Sequence, residues 1–293
     1  MGMIVVRLYG GLGNQMFQYC AGRRLAKLTS SELVLDTVSG FKRDSKYSRK
    51  YALGNFNIQE REALPRERLE PFERLRRFVI KHLQLLLPQH RRTYITESMS
   101  DVFRENILPV SKRIYLDGYW QTSTHFLEYE QLLRSELSLK KEVATPIMDL
   151  INMLDNEQSV AIHIRWFGKD AEFSETSYGE EYYTKAILKI KELVQFPKFY
   201  VFSDKPDLAS QLMNDLSFDY RLISDMRGNM SAEQEMFILS ACKHKIIGNS
   251  TYGWWSAMLG EDQDSIIICP KPANFSGTEW GLQRMIPDSW LKL

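Results

Sequence analysis

The chain has 293 residues, 44% apolar and 26% charged, with a formal net charge of +1. That length allows two domains at roughly 100–200 residues each, and the composition is that of an ordinary globular protein. The near-zero charge excludes a global pull toward nucleic acid or an acidic surface, so such a partner would need a local patch, and no nucleic-acid partner is expected. Cys20, Cys242 and Cys269 lack the CxxC spacing of a zinc or redox site and suit a reducing compartment. No run reaches the ~18 apolar residues of a membrane span. MGMIVVRLYGG leads into a strand with no small-residue cleavage site, so the expected location is cytoplasmic.

Met3 to Leu8 reads as a first strand, Tyr9 to Gln15 as a glycine-rich turn, and Met16 to Thr29 as a helix with Phe17, Cys20, Ala21, Leu25 and Leu28 on one face. Strand, glycine turn and helix open a Rossmann-like unit whose helix N-terminus favours an anion. The G-x-G-x-x-G pattern fails, because Met16 stands where the last glycine belongs. Glu32 to Asp36 is the second strand. Between Pro71 and Pro88 lies an amphipathic helix. Phe72, Leu75, Phe78, Val79, Leu83 and Leu86 form its apolar face, while Arg74, Arg76, Arg77 and Lys81 are basic. Packing of the apolar face on its own domain is expected; contact with an anionic membrane surface is the second reading. Arg113 to Gln121 is a strand leading to Tyr119 and Trp120, which fit a sugar-stacking wall or plain core. A helix from His125 to Leu139 follows. The polar Lys140–Thr145 segment reads as a linker, giving domains over 1–145 and 146–293.

The second half repeats the alternation. A helix over Ile147–Leu154 precedes SVAIHIRWFGKD, a buried strand that delivers Arg165 into a loop at its carboxyl end, where α/β sheets bind ligands. A guanidinium there suits a phosphate. The competing reading makes His163 a core histidine and Arg165 an ion-pair partner. Tyr182–Leu193 is a helix, Phe199–Ser203 a strand ended by Asp204, and Ser231–Cys242 a helix opened by a capping box of Ser231 and Gln234. Lys245–Gly248 is a strand, after which Asn249, Ser250 and Thr251 open a helix. These three residues fit either an anion site or an ordinary N-cap. Asp204 fits a nucleotide contact or a turn before Pro206. Ser265–Cys269 is the last strand, and a short tail follows. No Walker A, GxSxG, HExxH or clustered His/Cys set occurs, which argues against NTPase, serine hydrolase and metalloprotease chemistry. Two Rossmann-like halves with anion-binding loops suggest a nucleotide-dependent group transferase.

GGLGNQMFQY (Gly10–Tyr19), the HIR of His163–Arg165, YVFSD (Tyr200–Asp204), CKHKIIGNSTYGWW (Cys242–Trp255), YLDGYWQ (Tyr115–Gln121) and PDSWLKL (Pro287–Leu293) resemble bacterial α-1,2-fucosyltransferases of glycosyltransferase family 11, in order over nearly the whole chain. The resemblance implies an α/β fold of the GT-B type, two Rossmann-like domains facing a central cleft. The first domain takes the acceptor, the second holds the GDP-sugar, and the C-terminal tail packs back on the first. It implies inverting transfer of L-fucose from GDP-fucose to the 2-hydroxyl of a galactoside, with no metal or other cofactor. The acceptor is a galactose-containing oligosaccharide or lipid-linked surface glycan, met in the cytoplasm or at the inner face of the membrane.

Carried over by position, Arg165 holds the β-phosphate, and Asn249, Ser250, Thr251 and Tyr252 line the diphosphate. His163 orients the loop or contacts the nucleotide, and Ser203 and Asp204 sit near the nucleotide. Gly11, Gly13, Asn14 and Gln15 reach from the first domain toward the reacting centre. Asp36 and Asp117 are the carboxylates to test as general base. The chain departs from the family's His-x-Arg-Arg-x-Asp pattern, having Trp166 for the second arginine and its acidic residue later, at Asp170. Lys169 then restores the charge or Arg165 acts alone, and Trp166 offers a ring to a different hexose. The alternatives are the same fold with another GDP-sugar or acceptor hydroxyl, or a GDP-binding protein without catalysis.

Overall fold

A computed structural model describes residues 2–45, 47–58, 61–97, 113–140, 144–166, 179–223, 230–271, 273–275, 278–280 and 285–293. The chain divides into two compact units, Met1–Lys140 and Lys141–Leu293.

In the first unit, β1 (Gly2–Arg7), α1 (Leu12–Leu28), β2 (Ser31–Asp36), β3 (Arg61–Glu62), α2 (Glu73–Leu83), β4 (Tyr94–Thr96) and β5 (Arg113–Asp117) are followed by α3 (Thr124–Leu127) and α4 (Glu130–Glu136). The described strands form a parallel sheet in the order β3-β2-β1-β5-β4. β1 is the pivot: Val5 pairs in register with Val34 on one side and with Tyr115 on the other. Its apolar run Ile4-Val5-Val6 is fully buried, as a strand covered on both faces requires. The glycine run is shorter as a loop than its composition suggests. Gly10 takes the left-handed conformation at φ 77°, Gly11 caps α1, and Gly13, Asn14 and Gln15 already belong to its first turns. The helix expected over 125–139 is broken at Tyr129 into α3 and α4.

The amphipathic helix α2 reverses the expected packing. Its inward residues are Glu73, Arg77 and Ile80, all half-buried, and no residue of α2 is fully buried. Of its apolar residues, Ile80 packs on the cluster of Val5, Val34, Ala63, Tyr94 and Tyr115. The apolar face points to solvent instead.

In the second unit, α5 (Thr145–Asp155), β6 (Ser159–Ile164), α6 (Glu180–Leu193), β7 (Lys198–Ser203), α7 (Pro206–Asp215), β8 (Tyr220–Leu222), α8 (Ala232–Ala241), β9 (His244–Ile247), α9 (Thr251–Leu259) and β10 (Ile267–Cys269) precede a small antiparallel pair, β11 (Ala273–Phe275) and β12 (Thr278–Trp280), and the terminal β13 (Leu291–Lys292). The main sheet runs β13-β10-β9-β6-β7-β8, all neighbours parallel. All six residues of β6 are buried, so its alternation separates two packed faces instead of core from solvent. The tail, expected against the first domain, adds β13 to this sheet, with Leu293 N–H donating to Cys269 O at 3.1 Å. The capping box on α8 is formed: Gln234 N–H donates to Ser231 Oγ, and Ser231 N–H donates to Gln234 Oε1.

Candidate active site

Ligands in open α/β sheets bind beyond the carboxyl ends of the strands, where the strand order reverses. In the second unit the reversal lies between β6 and β9: β6 is followed outward by β7 and β8, β9 by β10 and β13. His163 pairs with Ile247 and Ile164 with Ser203. The loops carrying Arg165, Asp204 and Gly248–Thr251 therefore leave the sheet side by side.

Arg165 and Asp204 form an ion pair, Nη1 to Oδ2 2.8 Å, with about a quarter of each side chain (27%) exposed. The other carboxylate oxygen of Asp204 accepts from Trp166 N–H at 3.1 Å. Asp204 thus holds both the guanidinium and the backbone beside it. Ser203 is buried and its hydroxyl accepts from Lys205 N–H at 3.1 Å, which shapes the turn before Pro206.

The N-terminus of α9 is the neighbouring element. Ser250 caps it, its hydroxyl accepting from Tyr252 N–H at 3.2 Å. Thr251 opens the helix half-buried. Tyr252 braces the corner by donating its hydroxyl to Ala232 O at 2.7 Å and stacking its ring on His163, 5.5 Å between centroids. His163 is buried, and a Cβ on Gly253 would lie 2.6 Å from its Nδ1, so only glycine lets imidazole and helix approach this closely. Asn249 is 92% buried (relative exposure 8%), and its Nδ2 has no hydrogen-bond partner among the described residues. A buried amide left unsatisfied costs about 1–3 kcal/mol. Its placement beside the N-terminus of α9 suits an anion.

The first unit reverses its strand order between β1 and β5. There Gln121 Nε2 donates to Asn14 Oδ1 at 2.9 Å, and the rings of Tyr9 and Tyr119 meet edge to face at 4.8 Å. Gly11 leaves open space, the nearest atom to an added Cβ being Arg49 Cζ at 4.0 Å. Gly13 is buried in the helix. Gln15 is turned inward. Fully buried, it donates to Gly10 O and Lys50 O, both at 2.9 Å, and accepts from Ala52 N–H at 2.9 Å. It pins two loops together.

Asp36 is likewise removed from the chemistry. Its carboxylate has no exposed surface and accepts from Val38 N–H, Ser39 N–H, Ser39 Oγ and Tyr115 Oη at 2.5–3.2 Å. Asp117 remains one-fifth exposed, paired with Arg7 at 2.9 Å and accepting from the Tyr94 hydroxyl. Burial, then the Asp117 charge, raises the Tyr94 phenol well above its ordinary range and keeps it a donor. The pairings of Arg7 with Asp117 and of Gln121 with Asn14 carried no signal in the sequence, since the partners lie 110 and 107 residues apart.

Two further expectations change. Trp166 is 5% exposed and packs in the core cluster with Tyr182, Tyr183 and Ile164, so its ring is not offered to a sugar. The aromatic pair after β5 splits: Trp120 is buried, whereas Tyr119 is 40% exposed. Lys169 and Asp170 lie outside the described residues. Among the described residues no group of three or more His, Cys, Asp or Glu side chains could hold a metal ion, and no helix is long and apolar enough to cross a membrane.

The two parallel α/β units, each with its polar groups at a switch point, have the GT-B fold of glycosyltransferases. The fold is shared with the fucosyltransferase NodZ from Bradyrhizobium (TM-score 0.57, 18% identity, 88% of this chain and 92% of that one). Residues 1–281 match the model of glycosyl transferase family 11, and the chain belongs to that family. Among curated relatives, an alpha-1,2-colitosyltransferase of Escherichia coli is 28% identical over 100% of this chain and 99% of its own length. The O-antigen biosynthesis glycosyltransferase WbnK of Escherichia coli is 29% identical over 98% and 99%.

Proposed function

We propose that this glycosyltransferase transfers L-fucose from GDP-fucose to the 2-hydroxyl of a galactoside in a surface glycan, with inversion and without a metal or other cofactor. The observation that carries the reading is the buried amide of Asn249, unsatisfied among the described residues, beside the α9 N-terminus and next to the strand that leads into Arg165. Departure of GDP places negative charge on the diphosphate. Preorganised donors stabilise such charge without reorganising, and removing one typically costs about 10²–10³ in rate. Arg165 takes the β-phosphate by exchanging part of its pairing with Asp204, Asn249 donates to a phosphate oxygen, and the positive end of the α9 dipole completes the clamp. The alpha-1,2 linkage in the name of one relative, the O-antigen role of the other and the GDP co-crystallised with NodZ support this reading.

The acceptor falls to the first unit, at the switch point bearing Asn14, Gln121 and the half-exposed Tyr119 ring. Inversion requires the acceptor oxygen to attack the anomeric carbon as its bond to the diphosphate breaks, with the hydroxyl proton passing to a base. Asp117 is the accessible carboxylate for that proton. A positioned base is worth about 10²–10⁴ in rate.

A second reading keeps the fold and changes the sugar. It is favoured by the colitosyl relative and by Trp166, which fills core space where the family has a second arginine. Mass spectrometry of products from GDP-fucose and GDP-colitose on a set of galactosides separates the two. Arg165→Ala is expected to abolish transfer from whichever donor is used, with unchanged thermal unfolding; near-wild-type turnover by that variant would overturn the clamp.

A further inference from the structure

The outward face of α2 lies outside the site described above. Leu75, Phe78, Val79 and Leu83 follow the i, i+3, i+4, i+8 spacing of one helical face. They are 61%, 60%, 41% and 64% exposed. The segments on either side continue the surface, with Phe72 73% exposed before the helix and Leu85, Leu86 and Leu87 54%, 87% and 44% exposed after it. Eight large apolar side chains thus lie open along one short stretch, whereas monomeric surfaces rarely leave apolar patches contiguous unless something binds them. Phe72 is also held in the left-handed region, at φ 65° and ψ 36°, without burial of its ring to offset the strain.

The charges around this face decide what covers it. Arg74 and Lys81, seven residues apart, share one border of the apolar face, and Arg76 lies on the other; all three are exposed. From Pro71 to Arg92 there are six Lys/Arg residues (Arg74, Arg76, Arg77, Lys81, Arg91 and Arg92) against one acidic residue, Glu73, in a chain whose net charge is only +1. A groove of about 530 Å³ at the start of the helix is lined by Arg43, Arg74 and one carboxylate, Glu73, together with Phe72, Leu75 and Phe78, so its cations outnumber its acid two to one. Cations at the rim with aromatic and aliphatic groups between them match a phosphate headgroup and the first carbons of its acyl chain. A second copy of the chain would bring its own basic rim against this one.

We propose that α2 and its flanks, 72–87, lie in the interface of an anionic phospholipid bilayer, with the apolar face sunk among the acyl chains and Arg74, Arg76 and Lys81 on the headgroups. Insertion seats the first unit on the lipid surface, where a lipid-linked glycan would be presented. The proposal does not depend on the donor sugar, and its test uses no sugar nucleotide.

The full chain is floated with vesicles of phosphatidylcholine alone and of phosphatidylcholine with phosphatidylglycerol. Wild type is expected to float with the anionic vesicles and much less with the neutral ones. Arg74→Gln with Arg76→Gln should weaken partition to anionic vesicles about 30-fold. Leu75→Gln with Phe78→Gln should abolish it, and both variants should fold normally because the replaced groups are exposed. Wild type that stays at the bottom of the gradient overturns the proposal, as does flotation of the Leu75→Gln/Phe78→Gln variant equal to wild type. A wild-type dimer in light scattering that the same variant converts to monomer, without flotation of either, assigns the face to a second copy and overturns the lipid reading as well.

Discussion

Asn249 and Asp36 are both buried polar side chains, and their hydrogen bonding separates them. Asp36 is satisfied four times over by Val38, Ser39 and Tyr115, so its carboxylate holds the end of β2 to β5. Asp36→Ala strands two N–H groups and two hydroxyls, and a loss of about 3 kcal/mol is expected in urea unfolding. Asn249 Nδ2 gives up no hydrogen bond to the described residues when it is removed. Asn249→Ala removes an unsatisfied amide, so unfolding should change by less than about 1 kcal/mol. Donor affinity, read by isothermal titration with GDP, should fall about tenfold. Equal destabilisation by the two substitutions would show that Asn249 is structural.

Elements place these residues through close approaches that tolerate no extra atom. Gly253 sits in the first turn of α9, directly against the His163 ring. Gly253→Ala forces either the imidazole or the helix to move, since no Cβ survives a contact of 2.6 Å. Overpacking of this kind typically costs about 1–3 kcal/mol. Because His163 lies two residues before Arg165 on β6, GDP affinity should drop with stability; a variant with normal affinity and normal melting would disprove the contact. The same closeness explains what the sequence could and could not reveal. Strands β1, β6 and β7, and helices α8 and α9, announce themselves through local patterns: apolar runs, a capping box, an N-cap. Arg165 and Asn249 were legible as site residues because each directly follows such a strand. The fates of Asp36 and Gln15 were not, because the partners that complete their local hydrogen bonds, Tyr115 for Asp36 and Lys50 and Ala52 for Gln15, lie far along the chain. Trp166 misled for a related reason, since a loop residue beside a strand end can turn back into the core. The orientation of α2 was the clearest reversal, because an amphipathic pattern fixes which residues share a face but not what lies opposite it.

At the scale of the whole molecule, acid sensitivity follows from histidines folded into each unit as neutral rings. In the first unit burial, reinforced by the Arg24 charge, lowers His125 to about 3 from an ordinary 6.5. In the second unit burial, reinforced by Lys245, lowers His244, whose Nδ1 accepts from Ile266 N–H at 3.1 Å. A base whose folded pKa is depressed contributes full stability above its unfolded pKa. Between the two values the unfolded chain binds more protons, so stability falls as pH drops through 6.5 toward 3. One such histidine costs about 2 kcal/mol by pH 5. Carboxylates act in a lower window: hydrogen bonding to Arg61 holds Glu67 down at about 2 from 4.5, and that contribution is lost only as pH falls from 4.5 toward 2. With roughly equal numbers of acidic and basic groups, 37 against 38, global repulsion is small at neutral pH and these local terms dominate the decline above pH 5. Urea unfolding at pH 7.5 and 5 should therefore show wild type losing stability. His125→Asn is already neutral at both pH values and should recover about 2 kcal/mol of the difference, whatever its stability at pH 7.5. A pH dependence identical to wild type in that variant would mean that His125 carries its proton in the folded chain.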